Sequence, residues 1–274
     1  MPKRPNSLRH LDDAIRRASG GTADGYVRMR TLVANAIVAQ MLPDGVVKGG
    51  SAVRMRFGSE ATRYTTDLDT ATASDPDEYA ARLSEALAAG WEGFTGRVVR
   101  REPATPPGIP GEYVMRPFDV KLSYLGKSWC TVPLEVGFDE IGDAERADAT
   151  SQAEASDALG RLGFPAVGDV ALMDLCYQVA QKLHGLTSGC DRVRDLVDLQ
   201  LIMGNADVDL ARTRRVCVRL FAYRKAQQWP PRVVSGEGWG ELYATQAEGL
   251  DVLSDLSEAI EWANVLVARI DAAR

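Results

Sequence analysis

Two aspartates separated by one residue, Asp67 and Asp69, follow a glycine pair, Gly49-Gly50, and a serine, Ser51. Alternate residues of an extended segment share a face. Read as a strand, Arg63-Tyr64-Thr65-Thr66-Asp67-Leu68-Asp69-Thr70 therefore brings both carboxylates together and turns Leu68 into the core. Neighbouring carboxylates repel by about 1 kcal/mol in water and about 4 kcal/mol at an effective dielectric of about 20. A divalent cation removes that repulsion. Magnesium suits hard oxygen donors because it keeps waters and takes further ligands from substrate phosphates. Gly49 and Gly50 let backbone amides approach a triphosphate, and Ser51 adds a hydroxyl contact. An Asp-x-Asp pair alone is common at solvated strand ends, so the reading depends on what the rest of the chain supplies.

Phosphoryl transfer of this kind also needs a group that activates the attacking hydroxyl. Asp119 in Phe118-Asp119-Val120-Lys121 and Glu135 in Pro133-Leu134-Glu135-Val136 are the candidates. Val132, Leu134 and Val136 form the buried parity of their segment and leave Glu135 on the opposite face, which favours it. Asp119 reads as paired with Lys121 or with solvent. In the second half, Lys182 closes one helix, and Asp191, Arg194, Asp195 and Asp198 follow at i, i+3, i+4 and i+7, opposite Leu196, Leu199 and Met203. That face either meets a nucleotide, with Lys182 neutralising triphosphate charge, or forms a surface charge ladder of small energetic weight. Farther on, Arg212, Arg214, Arg215, Arg219, Arg224, Lys225 and Arg232 interleave with Phe221, Tyr223 and Trp229. This is either a local cationic patch for RNA or a solvated helix face above core aromatics.

Other patterns carry less. Gly126-Lys127-Ser128 lacks the earlier glycine of a P-loop, and Gly236-Glu237-Gly238-Trp239-Gly240 has the wrong spacing for a dinucleotide fingerprint. His184 has no nucleophile pattern beside it, which argues against a triad hydrolase. Cys130, Cys176, Cys190 and Cys217 are widely spaced, and His10 and His184 are the only imidazoles, so no structural zinc site is expected. With 45% hydrophobic and 26% charged residues over 274 positions, the chain can bury an ordinary core, and disorder is excluded. Its net charge of −6 means that any RNA contact must be local. No apolar run approaches the roughly 18 residues of a membrane span, and Met1-Pro2-Lys3-Arg4 opens a segment without the apolar middle of a signal peptide. A cytoplasmic protein with no membrane partner is expected.

The elements that must position these residues can be read in outline. Leu8, Leu11 and Ile15 behind Ser7 predict a helix over 7–18, and Met29, Val33, Ile37 and Met41 a second over 26–41. Val46-Val47-Lys48 running into the glycine pair predicts a strand, a tight turn and a short helix. Asp75, Pro76, Glu78 and Gly90 delimit a helix over 76–89. Strands are expected at 96–101, 113–124 and 129–138, with a turn at Gly126-Lys127. The acidic stretch 139–157 reads as a solvated connector. Beyond it strand signals largely vanish, and helical stripes follow: Leu172, Leu175, Val179 and Leu183; Val193, Leu196, Gln200 and Met203; Leu256, Ile260, Ala263, Val267 and Ile270. The expected division is a mixed core over 1–145 and a helical domain over 146–274.

Taken in order, Lys48-Gly49-Gly50-Ser51, Thr65-Thr66-Asp67-Leu68-Asp69, Gln181-Lys182-Leu183-His184 and Arg194-Asp195-Leu196-Val197-Asp198-Leu199 resemble the AbiEii/AbiGii-type nucleotidyltransferase toxins, and the MenT group most. Trp91-Glu92-Gly93-Phe94, Lys121-Leu122-Ser123-Tyr124, Val132-Pro133-Leu134-Glu135-Val136 and Trp229-Pro230-Pro231-Arg232-Val233 extend the likeness over nearly the whole chain. The resemblance implies an α+β fold: a DNA-polymerase-β-like nucleotidyltransferase core, with a mixed sheet and helices, then a C-terminal α-helical domain that completes a nucleotide cleft. It implies a toxin with a cognate antitoxin protein. Its implied activity is magnesium-dependent transfer of a nucleoside monophosphate from an NTP to the 3′ end of tRNA, inhibiting translation. On matching positions it implies magnesium at Asp67 and Asp69, with Glu135 where many nucleotidyltransferases have aspartate. It further implies catalytic roles for Lys182 and Asp198, and nucleotide contacts at Lys48, Gly49, Gly50, Ser51, Thr65 and Arg194. The arginines Arg212, Arg214, Arg215 and Arg219 are the candidate RNA surface. A protein-modifying transferase or kinase of the same fold, or an inactive nucleotide-binding module, are the alternatives.

Overall fold

The computed structural model describes residues 2–103, 114–145, 147–188 and 192–274. Ser7 caps α1 (Leu8–Ala18) by accepting from the His10 amide, and Leu11 and Ile15 are its buried stripe. Thr22 caps α2 (Ala23–Ala39) through the Gly25 amide, so this helix starts three residues before the apolar stripe does. β1 (Val46–Lys48) leads directly into α3 (Gly49–Phe57), and β2 (Leu68–Thr72) follows. Asp75 accepts from the amides of Asp77 and Glu78 and starts α4 (Pro76–Ala89), as its capping residues predict. β3 (Phe94–Arg100), β4 (Arg116–Tyr124) and β5 (Lys127–Phe138) form a meander. Its last turn is Leu125-Gly126, both at positive φ, the twist that a two-residue hairpin requires.

β6 (Ala147–Thr150), α5 (Ala153–Arg161) and β7 (Val170–Met173) come next, and the seven strands lie in the order β3-β4-β5-β2-β1-β7-β6. β2 runs parallel to β5, and β1 parallel to β7; β1 and β2 are antiparallel. The remaining helices are α6 (Leu175–Leu186), α7 (Val193–Asn205), α8 (Leu210–Arg224), α9 (Trp239–Ala247) and α10 (Leu256–Ala272). One face of the sheet packs on the first helices through Val33, Ile37, Leu68, Val120 and Leu134, all fully buried. The second group of helices has its own interior, with Leu196, Leu199, Cys217, Leu220 and Ala263 buried.

Three expectations require correction. Residues 139–157 are not a free connector: they supply β6 and the start of α5, and Asp143 is fully buried, accepting from the Glu140 amide. An edge strand of alternating exposure carries polar residues by design, and so looks like a loop. Leu172 belongs to β7 rather than a helix, because a short buried parallel strand is a continuous apolar run without a strand's alternation. The strand containing Asp69 begins only at Leu68, so Asp67 precedes it. The described residues of Met1–Arg56, Tyr64–Asp139 and Ala144–Leu172 form one compact unit, and those of Phe57–Arg63, Glu140–Asp143 and Met173–Arg274 the other. Residues 147–172 therefore sit with the sheet, where α5 packs on α2.

Candidate active site

In the first unit, β1 ends and α3 begins at Gly49, whose φ of 65° is a left-handed conformation that glycine adopts without strain. A Cβ at Gly49 would stand 2.0 Å from Asp69 Oδ2, so the Asp69 carboxylate lies directly against the helix start. The free amides and dipole of a helix N-terminus favour an anion there. Lys48 is buried and pairs in register with Asp69, and Asp69 with Glu135. Side chains at such paired positions share one face of the sheet, so Lys48, Asp69 and Glu135 form a row across three strands. The Lys48 ammonium also reaches over Gly137, 2.8 Å from where a Cβ would be.

The segment before β2 owes its shape to side chains of α3. Ser51 donates its hydroxyl to the Asp67 carbonyl, and Arg54 donates to the Thr65 carbonyl at 3.3 Å. Two backbone acceptors are thus satisfied without a strand partner, which is why the ladder starts late. Thr65, itself buried, donates its hydroxyl to the Asp67 carboxylate. Tyr64 beside it hydrogen-bonds Thr31 at 2.8 Å and lies under the guanidiniums of Arg28 and Arg54. Burial pushes the Arg54 guanidinium below its ordinary range, with Glu154 and Tyr64 opposing. Asp119 is held by Lys121 at 2.8 Å, with Arg101 at 3.8 Å, as its sequence context suggests.

In the second unit, Lys182 Nζ donates to Asp198 Oδ2 at 2.6 Å and to Asp195 Oδ1 at 3.2 Å. Arg63 forks the Asp198 carboxylate with Nε at 2.8 Å and Nη2 at 2.9 Å, and Arg192 Nε takes Asp195 Oδ2 at 2.8 Å. Asp195 and Asp198 are 1% and 0% exposed, so this face of α7 is no surface ladder. Burial alone would raise the Asp198 carboxyl, but the charges of Lys182 and Arg63 outweigh it and hold it at about 2. Arg194 is exposed, and Arg192 is the arginine that pairs with Asp195. Asp191 and Cys190 lie outside the described residues.

His184 packs its ring edge-on against Phe221 at 4.9 Å, and Arg224 approaches its Nδ1 at 3.2 Å while forking Glu140. Burial, then the Arg224 charge, pushes its pKa down to about 4, so it is neutral and takes a packing role. Of the candidate RNA arginines, Arg212 pairs with Asp174 at 2.9 Å, Arg214 approaches Asp271 at 3.6 Å, and Arg219 donates to the Ile141 carbonyl at 2.7 Å. Arg215 and Arg219 are exposed. Cys130, Cys176 and Cys217 are free thiols.

Among the described residues, no group of three or more His, Cys, Asp or Glu side chains forms a ready-made metal cage. The donor chemistry nonetheless fits magnesium, which is ordinarily bound by one or two carboxylates and completed by water and phosphate oxygens. Asp67 and Asp69 offer two such carboxylates, with Glu135 in register beside Asp69. The contacts of Arg63, Arg54 and Gly137 with candidate site segments are not legible in the sequence. A lone arginine or glycine has no periodicity, and each matters only through a partner distant in sequence.

A family model described as Nucleotidyl transferase AbiEii toxin, Type IV TA system, matches residues 30–265. MenT4, a nucleotidyltransferase toxin from Mycobacterium tuberculosis H37Rv, is similar in structure at 18% identity and a TM-score of 0.50, over 95% of this chain and 98% of that one. That likeness shows the fold. A protein from H. pylori, described as a "putative nucleotidyltransferase", matches at 15% identity and 0.45, over 87% of this chain and 92% of that one. An antigenic nucleotidyltransferase-like protein from Paracoccidioides brasiliensis matches at 15% and 0.41, over 92% and 94% respectively. No curated protein matches the chain. No helix among the described residues is long and apolar enough to cross a membrane.

Proposed function

Because the chain belongs to the AbiEii nucleotidyl transferase toxin family, we propose that it transfers a nucleoside monophosphate from an NTP to the 3′ end of tRNA and thereby inhibits translation. The family is one of toxin–antitoxin systems, which implies an antitoxin partner. The observation that carries the reading is the row of Asp69 and Glu135 on adjacent strands, beside the α3 start and two residues after Asp67.

In the proposed reaction, the terminal tRNA hydroxyl attacks the α-phosphorus. The new oxygen–phosphorus bond forms, the bond to the β-phosphate oxygen breaks, and pyrophosphate leaves with that electron pair. Glu135 receives the proton lost by the hydroxyl. Asp67 and Asp69 would hold magnesium, which supplies neutralisation of triphosphate charge when bound, and Glu135 is assigned beside them as the third carboxylate. Lys48, Gly49, Gly50, Ser51, Thr65 and Arg194 are assigned to nucleotide contacts, and Lys182 to charge neutralisation. Positioning and electrostatics provide most of the acceleration in such transfers. Arg215 and Arg219, exposed on α8, are assigned to the tRNA backbone, with Arg212 and Arg214 contributing charge.

Purified protein incubated with total tRNA and each labelled NTP in turn tests this. Asp67→Ala is expected to abolish labelling while circular dichroism and the unfolding midpoint stay near the parent's. Undiminished labelling by that variant overturns the assignment, and label in polypeptide rather than RNA would make the substrate a protein.

A further inference from the structure

We propose that Arg63 is a positioning residue for Lys182, acting through Asp198, and that Asp198 itself touches neither substrate nor metal. The inference rests on the nucleotidyl-transfer reading for its rate predictions only. Asp198 is fully buried. Its Oδ1 accepts from Arg63 Nε, and its Oδ2 accepts from both Arg63 Nη2 and Lys182 Nζ. Three of the roughly four lone-pair positions of the carboxylate are therefore committed to this chain's own cations. A general base or metal ligand has to present an oxygen to its target, and this one presents its oxygens to Arg63 and Lys182.

The consequence falls on Lys182. Its ammonium is gripped by two carboxylates, each backed by an arginine, in the sequence Arg63, Asp198, Lys182, Asp195, Arg192. Two of its three N–H groups are spent on those carboxylates, leaving one to donate to an anionic ligand in a fixed direction. Gly185 is shaped to the same purpose. A Cβ there would come within 2.9 Å of Asp195 Oδ2.

Arg63 closes the 57–63 loop, in which Thr62 is buried and donates its hydroxyl to the Gly58 carbonyl at 2.7 Å. The fork is what a planar guanidinium supplies and an ammonium cannot. Arg63→Lys keeps the charge and loses the fork.

The test uses the full chain and three variants, Arg63→Lys, Arg63→Gln and Asp198→Asn, with two readouts: nucleotide incorporation, and amide exchange of the peptide covering residues 57–63 by mass spectrometry. Both Arg63 variants are expected to lose about 10²-fold in kcat, the scale of an ångström of misplacement, with KM for the NTP near the parent's. The shape of the pH–rate profile should be unchanged in Arg63→Lys and Asp198→Asn, and exchange over 57–63 should rise in Asp198→Asn. Parent-like kcat in Arg63→Lys overturns the proposal. So does loss of the acid limb of the profile in Asp198→Asn with exchange unchanged, because Asp198 would then be moving a proton. Raised exchange over 57–63 in a protein whose parent transfers no nucleotide supports the Arg63–Asp198 anchor and strikes only the transfer reading.

Discussion

Asp69 on β2 and Glu135 on β5 are register partners across a parallel strand pair, although 66 positions separate them in the chain. Lys48 stands opposite Asp69 on the other side, so two carboxylates and an ammonium share one row. This row gives each acidic residue in the sheet a distinct expected weight.

Glu135→Gln is expected to lower incorporation by about 10²-fold or more, the range for removing a positioned proton acceptor. Asp119→Asn, whose carboxylate is occupied by Lys121, should stay within about threefold of the parent. Steady-state incorporation measured on both variants checks the pair; equal losses would move the third carboxylate role to Asp119 or to neither.

Gly49→Ala should destabilise and inactivate together. The left-handed backbone costs about 1–2 kcal/mol for an alanine, and the added methyl would collide with Asp69. Gly126→Ala, at φ 75° with open space around it, should show the backbone cost alone and retain activity. Thermal unfolding and incorporation on the two variants separate the terms.

What could be read from the sequence, and what could not, follows the range of the physics involved. The α4 limits were legible because a cap, a proline and a glycine act within their own turn. The strand parity around Glu135 was legible, since Leu134 and Val136 are buried as it requires, and Phe118 and Val120 are buried in the same way around Asp119. The late start of β2 was not legible, because it depends on Ser51 and Arg54 capturing carbonyls of a distant segment. Burial of the α7 acids was equally hidden. Their spacing is that of a solvated ladder, and the cations of Lys182, Arg63 and Arg192, distant in part from α7, make burial tolerable.

Stability should fall in two steps on acidification. The His184 pKa is depressed to about 4 from an unfolded value near 6.5, so the unfolded chain binds the proton first. On the order of 3 kcal/mol is therefore lost as pH falls from about 6.5 to about 4. Asp198, held at about 2, contributes on the order of 2 kcal/mol that is present above pH 4 and disappears as pH falls toward 2. Urea unfolding between pH 8 and pH 3 should show the first step absent in His184→Gln. An unaltered pH dependence in that variant would remove the histidine from the account.

Charge reversal at Arg215 and Arg219 should raise KM for tRNA several-fold, flatten its salt dependence and leave NTP affinity alone. Reversal at Arg212 or Arg214 should cost stability as well, since Asp174 and Asp271 lie beside them. Titrations at two ionic strengths distinguish these outcomes; salt-independent tRNA binding would count against the patch.

The interleaving of the two units has a practical consequence for anyone dissecting this molecule. A fragment ending at residue 145 keeps the acidic row yet deprives the buried β1 of its β7 neighbour, turning an interior strand into an open border that invites self-association. A cut after residue 172 restores that neighbour but parts the 57–63 loop from most of its own unit, which lies in the discarded piece. Neither half can be expressed as a faithful portrait of its part of the whole.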